Sequence, residues 1–105
     1  MNDAEFLNEA ERAFLEIIEE LENYDWDFDY DHQGDILTIY NDTEECVVIT
    51  HNLGRHELWV VIGKESYHFI HRGKNWVWKK DNGLVLLAAV KDHLDEICGN
   101  RGQLS

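Results

Sequence analysis

The sequence predicts an α+β fold: a two-layer α/β sandwich whose antiparallel β-sheet meander is covered on one face by N- and C-terminal helices. Three observations carry that expectation. Apolar residues recur with the helical period from Phe6 to Leu21, alternate with period two from Asp25, and return to the helical period from Leu87. Turn-forming stretches such as His32-Gln33-Gly34-Asp35 and Asn52-Leu53-Gly54 separate the alternating segments. Connections that short favour antiparallel neighbours. At 105 residues the chain reads as one domain, 1–105, with room for a single modest core.

The elements follow in order. Residues 2 to 23 read as a helix, opened by Asn2 and Glu5 at capping-box spacing. Phe6, Ala10, Ala13, Phe14, Ile17 and Leu21 define its apolar stripe, and glutamates occupy nearly all the rest. From Asp25 to Asp31 aromatics and aspartates alternate, so Trp26, Phe28 and Tyr30 share one strand face and the aspartates the other. Ile36 to Tyr40, Cys46 to Thr50, Glu57 to Ile62, Tyr67 to Ile70 and Trp76 to Trp78 supply the further strands, about six in all. Asp81-Asn82-Gly83 reads as the turn that closes the sheet. The second helix carries Leu87, Val90, Leu94 and Ile97, with Gly99 as its C-cap.

Charge is distributed unevenly. Thirteen of the 22 acidic residues fall in the first 35 positions, where Arg12 is the only base, so nearly all of the net −13 sits in the first third. That sign disfavours nucleic acid and anionic membrane as partners. A hydrophobic content of 44% separates the chain from disordered polyacids. The N-terminus lacks the pattern of a signal peptide, and the longest apolar run, Leu84 to Val90, is too short for a bilayer span. Cys46 and Cys98 fit no metal-ligand spacing, and the plain reading is a reduced, cytoplasmic protein.

The acidic block is the main functional candidate. Same-face aspartates on a strand stand roughly 6.5–7 Å apart. At that distance two unit charges repel in water by only about 0.6 kcal/mol, which a bound cation readily outweighs. Glu19 and Glu22 are neighbours at i, i+3 on the helix and can join Asp25, Asp27, Asp29 and Asp31 if the chain turns near Asn23. Such a ridge predicts shallow, weak, hydrated sites for hard ions such as Mg²⁺, Ca²⁺, Mn²⁺ or ferric iron, or a landing strip for a basic protein surface. A solvated face that only keeps the chain soluble is the competing reading.

On the sheet, Leu58, Val60 and Ile62 point one way, so Trp59 points onto the uncovered face as a candidate partner anchor. Packing of its ring against Tyr67 or His68 is the plainer alternative. Trp76 and Trp78 share a face and close a corner of the core, and Trp26 belongs under the first helix. His68 and His71 fall on opposite faces of their strand, and most of the six histidines read as surface residues. No nucleophile–base pair or glycine-rich phosphate loop is present, so no catalytic residue is assigned and the chain reads as a non-enzyme.

Trp59, then Tyr67-His68-Phe69, then Gly73-Lys74-Asn75-Trp76-Val77 together resemble the frataxin family, as does the opening Met1-Asn2-Asp3-Ala4-Glu5-Phe6. The resemblance covers nearly the whole chain. It implies a protein of iron–sulfur cluster assembly that binds Fe²⁺ and Fe³⁺ weakly on the ridge, here Glu19, Glu20, Glu22, Asp25, Asp27, Asp29 and Asp31. It also implies docking to a cysteine desulfurase, and to the cluster scaffold protein, through Glu19, Glu20, Glu22, Asp25 and Trp59. It further implies a regulator of cluster synthesis, monomeric or forming metal-dependent oligomers. A ferroxidase that stores iron and an acidic interaction module without physiological metal are the alternatives. The chain departs from the family at Thr50-His51-Asn52-Leu53-Gly54, where Asn-x-Gln-x-Pro is frequent, and at Glu57, where Gln is common. It departs again at Asn23, where relatives often carry an acid.

Overall fold

The computed structural model describes residues 1–23, 28–42 and 44–104, with side chains through residue 98. Helix α1 (Asp3–Leu21) opens the chain and helix α2 (Leu86–Leu104) ends it. Between them run β1 (Phe28–Gln33), β2 (Ile36–Asn41), β3 (Glu44–Asn52), β4 (Glu57–Ile62), β5 (Glu65–Arg72), β6 (Asn75–Trp78) and β7 (Asp81–Val85). All neighbours pair antiparallel in the order β1-β2-β3-β4-β5-β6-β7, leaving β1 and β7 at the edges of an open sheet. This is the predicted two-layer α+β sandwich.

The start of α1 is built as the spacing predicts. Asn2 Oδ1 accepts from the Glu5 N–H at 2.8 Å, and Glu5 Oε1 accepts from the Asn2 N–H at 3.3 Å. Two otherwise orphaned donors are thereby satisfied. Asn2→Ala is expected to lower stability by about 1 kcal/mol, read from the urea midpoint at unchanged slope.

The buried residues of α1 are Phe6, Ala10, Ala13, Phe14, Ile17 and Leu21, the full predicted stripe. They pack on Leu37, Ile39, Val47, Ile49, Leu58, Val60 and Phe69 of the sheet and on Leu86, Val90 and Leu94 of α2. Trp76 is buried in this core and Trp78 packs against its margin. The register alternates without slipping through β3, β4 and β5, so core and open faces stay distinct across the sheet centre. The β4–β5 turn depends on Gly63, whose φ of +62° lies in the left-handed region. A Cβ there would also stand 3.3 Å from His93 Cε1 of α2.

Two expectations are corrected. The sheet has seven strands, because Asp81-Asn82-Gly83 does not simply close it but begins β7, pairing Trp78 with Asp81 and Val77 with Val85 across a bulge. Helix α2 runs through Gly99 to Leu104, so Gly99 is not its cap. A third difference is smaller: His32 and Gln33 belong to β1 rather than to the turn.

Candidate functional site

Two surfaces come out of this scaffold. The first is the acidic margin formed by the end of α1 and by β1. Glu19 is exposed in the last turn, and Glu22 is the C-cap, its N–H donating to the Glu19 carbonyl at 3.2 Å while the Asn23 N–H donates to that of Glu20 at 3.1 Å. No basic residue occupies that last turn. Three glutamates therefore crowd the negative end of the helix dipole, each unfavourable by about 0.3–1 kcal/mol unless a cation answers it. Glu20 has one: Lys91 Nζ of α2 lies 3.4 Å from its Oε1. Asp29 and Asp31 are both exposed on β1, opposite Tyr40 and Thr38 of β2, and Asp31 Oδ1 accepts from Gln33 Nε2 at 3.2 Å. Asp25, Asp27 and Trp26 lie outside the described residues. Among the described residues no three carboxylate, imidazole or thiolate groups converge as a metal cage.

The second surface is the face of the sheet opposite the helices. The register places Ile36, Thr50, Trp59 and His68 in one row, and Thr38, Val48, Val61 and Ser66 in the next. Asp31 continues the second row at the β1 edge, so ridge and open face are contiguous. Trp59 is 38% exposed and its ring stacks on His68, with centroids 4.9 Å apart and planes 7° from parallel. Trp59 thus faces outward as expected, and its ring also packs on a neighbouring strand, as the plainer alternative has it.

Beneath it lies Glu57, only 4% exposed. Its Oε1 accepts from Trp59 Nε1 at 2.9 Å and lies 3.4 Å from His68 Nδ1, while its Oε2 accepts from Lys79 Nζ at 2.8 Å. Burial works to raise this carboxyl, but the hydrogen bonds from Lys79 and Trp59, with the charges of Lys79 and His68, outweigh it and hold the group below the ordinary glutamate range. Glu57 shares the open face with Trp59 by alternation, but its burial could not be read from that, since alternation says which way a side chain points and not what closes over it.

The histidines also differ from expectation. Only His68 is exposed; the other five are half-buried. Three lie against acids of α1: His56 Nε2 at 2.8 Å from Asp3, His71 Nε2 at 3.4 Å from Glu9, and His32 Nε2 at 3.5 Å from Glu11. His51 meets Phe6 and Phe14 ring to ring, and His56 stacks on Phe6 at 5.0 Å. The acids on the sheet-facing flank of α1 are therefore engaged with the protein itself. Those at its end, Glu19 and Glu22, remain turned to solvent.

No helix among the described residues is long and apolar enough to cross a membrane. A family model described as a frataxin-like domain matches residues 1–100. The iron-sulfur cluster assembly protein CyaY of Neisseria meningitidis is 27% identical over 82 residues, covering 78% of this chain and 77% of that one. The protein of the same name from Psychromonas ingrahamii is 28% identical over 91 residues, covering 85% and 87%. The solved structure of the frataxin from Psychromonas ingrahamii superposes with a TM-score of 0.70 at 25% identity, covering 78% of each chain. Helix, seven-stranded meander, closing helix and the match over residues 1–100 agree, and the chain belongs to the frataxin family.

Proposed function

We propose that this chain acts in iron–sulfur cluster assembly, as its relatives named for that process do. It binds Fe²⁺ or Fe³⁺ weakly on the acidic margin and docks there to a basic patch of the cysteine desulfurase, with Trp59 facing the assembly machinery. The observation that carries the reading is the charge of Glu19 and Glu22 at the end of α1, which no cation answers among the described residues. Glu19 and Glu22 stand exposed at the negative pole of the helix, and β1, the next element in the chain, carries Asp29 and Asp31 exposed. A protein selected for stability alone places lysine or arginine there.

Carboxylate oxygens are hard donors that suit iron, and other hard di- or trivalent cations substitute for it. On an open strand they offer one or two ligands per ion and leave the rest to water. On this reading the protein is cytoplasmic and monomeric, and it regulates cluster synthesis rather than catalysing a step of it. Iron and the desulfurase then compete for the same oxygens.

The test follows backbone amides while Fe²⁺ is added without oxygen, then repeats the titration with purified desulfurase. Shifts are expected at Glu19, Glu22, Asp29 and Asp31. Replacing Asp25, Asp27, Asp29 and Asp31 by asparagine should remove the strand shifts and weaken desulfurase binding by about tenfold or more. Unchanged desulfurase affinity in that variant sinks the docking role, and in a separate aerated assay oxygen consumption faster than that of Fe²⁺ in buffer alone points to a ferroxidase instead.

A further inference from the structure

The open sheet face carries a feature opposite in sign to the acidic margin. Between β5 and the β6–β7 turn lies an open cleft of about 180 Å³, lined by Ser66, His68, Trp78, Lys79 and Lys80. In a chain of net charge −13, two ammonium groups, an imidazole and a hydroxyl meet here. The carboxylate beside them, Glu57, is buried beneath Trp59 with both oxygens engaged: it fixes Lys79 and His68 in place and offsets the charge of Lys79, which leaves Lys80 as the cation the cleft presents. Asp81, next to Lys80 in the chain, turns its Oδ1 to the Gly83 N–H at 2.9 Å. Lys80 itself makes no ion pair among the described residues.

The volume limits the occupant. Pockets for metabolites and cofactors run to about 300 Å³ and more, so this cleft suits a single side chain. A carboxylate answers the lysines with charge-assisted hydrogen bonds, roughly twice as strong as neutral ones. Alongside, Trp59 and Val61 are 38% and 41% exposed and offer an apolar anchor. Because Trp59 Nε1 and the His68 ring are both fixed by Glu57, the anchor is already ordered before contact.

We propose that this cleft, organised by the buried Glu57, receives an acidic side chain of a partner protein that presents it next to an apolar residue. The inference rests on the reading that the chain docks to the cluster-assembly proteins, and it makes the contact two-signed: acids forward at the margin, cations forward on the sheet.

The test compares the full chain with Lys80→Glu, which reverses the charge of the cleft without touching the Glu57 contacts, and with Lys80→Arg, which keeps it. Affinity is measured for purified desulfurase, for purified scaffold protein and for the two together, beside an Asp29→Asn/Asp31→Asn control. Lys80→Glu is expected to weaken at least one of these complexes by about tenfold or more, with an unchanged unfolding midpoint, and Lys80→Arg to bind as the parent does. Glu57→Gln is expected to weaken the same complex, because Lys79 and His68 lose the charge that positions them. If Lys80→Glu binds like the parent while the aspartate control does not, this proposal is overturned and the acidic-margin reading stands. If the parent binds none of the three preparations, the docking reading itself fails and this proposal with it. Inorganic phosphate shifting Ser66 and His68 without competing against any partner would assign the cleft to a free anion and also overturn the proposal.

Discussion

Phe14→Ala is expected to lower the free energy of unfolding by about 3–5 kcal/mol, more than any other substitution considered. Phe14 is fully buried, with its ring edge-on to His32 of β1 at 5.2 Å and tilted against His51 of β3 at 5.7 Å. It therefore joins the middle of α1 to strands on the side of the sheet nearest the acidic margin. Truncation leaves a cavity that helix and sheet cannot both close, and domains of this size hold only about 5–15 kcal/mol in all. Equilibrium urea unfolding reads the loss as a fall in midpoint at constant slope. A loss below about 1 kcal/mol would mean that α1 does not seat on the sheet through this ring. Weakened seating should also loosen the last turn of α1, so the amides of Glu19 and Glu22 should lose exchange protection earlier than those of β4.

Lys79→Met is expected to be the most damaging change on the open face, at about 2–4 kcal/mol, because it strands an ionised Glu57 beneath Trp59. Glu57→Gln should cost only about 1 kcal/mol. The amide still accepts from the Trp59 indole, and Lys79, whose side chain is 51% exposed, returns to water. The reverse order would show that Glu57 is not charged in the folded protein.

The two proteins should also answer acid differently. With Lys79 present the folded carboxyl lies below its unfolded value of about 4.3. Its contribution is therefore complete above that pH and is lost as the pH falls through the lowered folded value. Without Lys79, burial is opposed only by the Trp59 hydrogen bond and the charge of His68, so the folded value is expected to rise relative to the parent's and the penalty fades as the pH falls through it. Urea midpoints of parent and Lys79→Met should thus converge on acidification from neutrality towards about pH 4.

Much of this was legible in the residues themselves, where a period and a burial requirement coincide. The stripe of α1 is one case. The alternation of Glu57 to Ile62 is another, since Leu58, Val60 and Ile62 facing the core force Trp59 outward. Asp29 and Asp31 are exposed for the same reason. Strand β7 was hidden because Asp81-Asn82-Gly83 has turn chemistry, and pairing with β6 overrides that local preference. Gly99 tends to stop a helix but does not oblige it to stop. The histidine contacts could not be read along the chain at all, because partners such as His71 and Glu9 lie far apart in sequence. Glu57 was hidden for a related reason: its burial is the joint work of Trp59, His68 and Lys79, which three different stretches contribute.

The position of β1 at the rim of an open sheet has a practical corollary for handling the protein. Bare peptide groups along a rim invite a second molecule to extend the sheet. Asp29 and Asp31 set two negative charges along that rim, so copies meeting there repel each other before their backbones can pair. This guard works through solvent and weakens as electrolyte shortens its reach, to about 10 Å at 0.1 M and 3 Å at 1 M. Concentrated stocks should therefore stay clear longest in dilute buffer, and turbidity should rise with added sodium chloride even while each individual molecule remains folded.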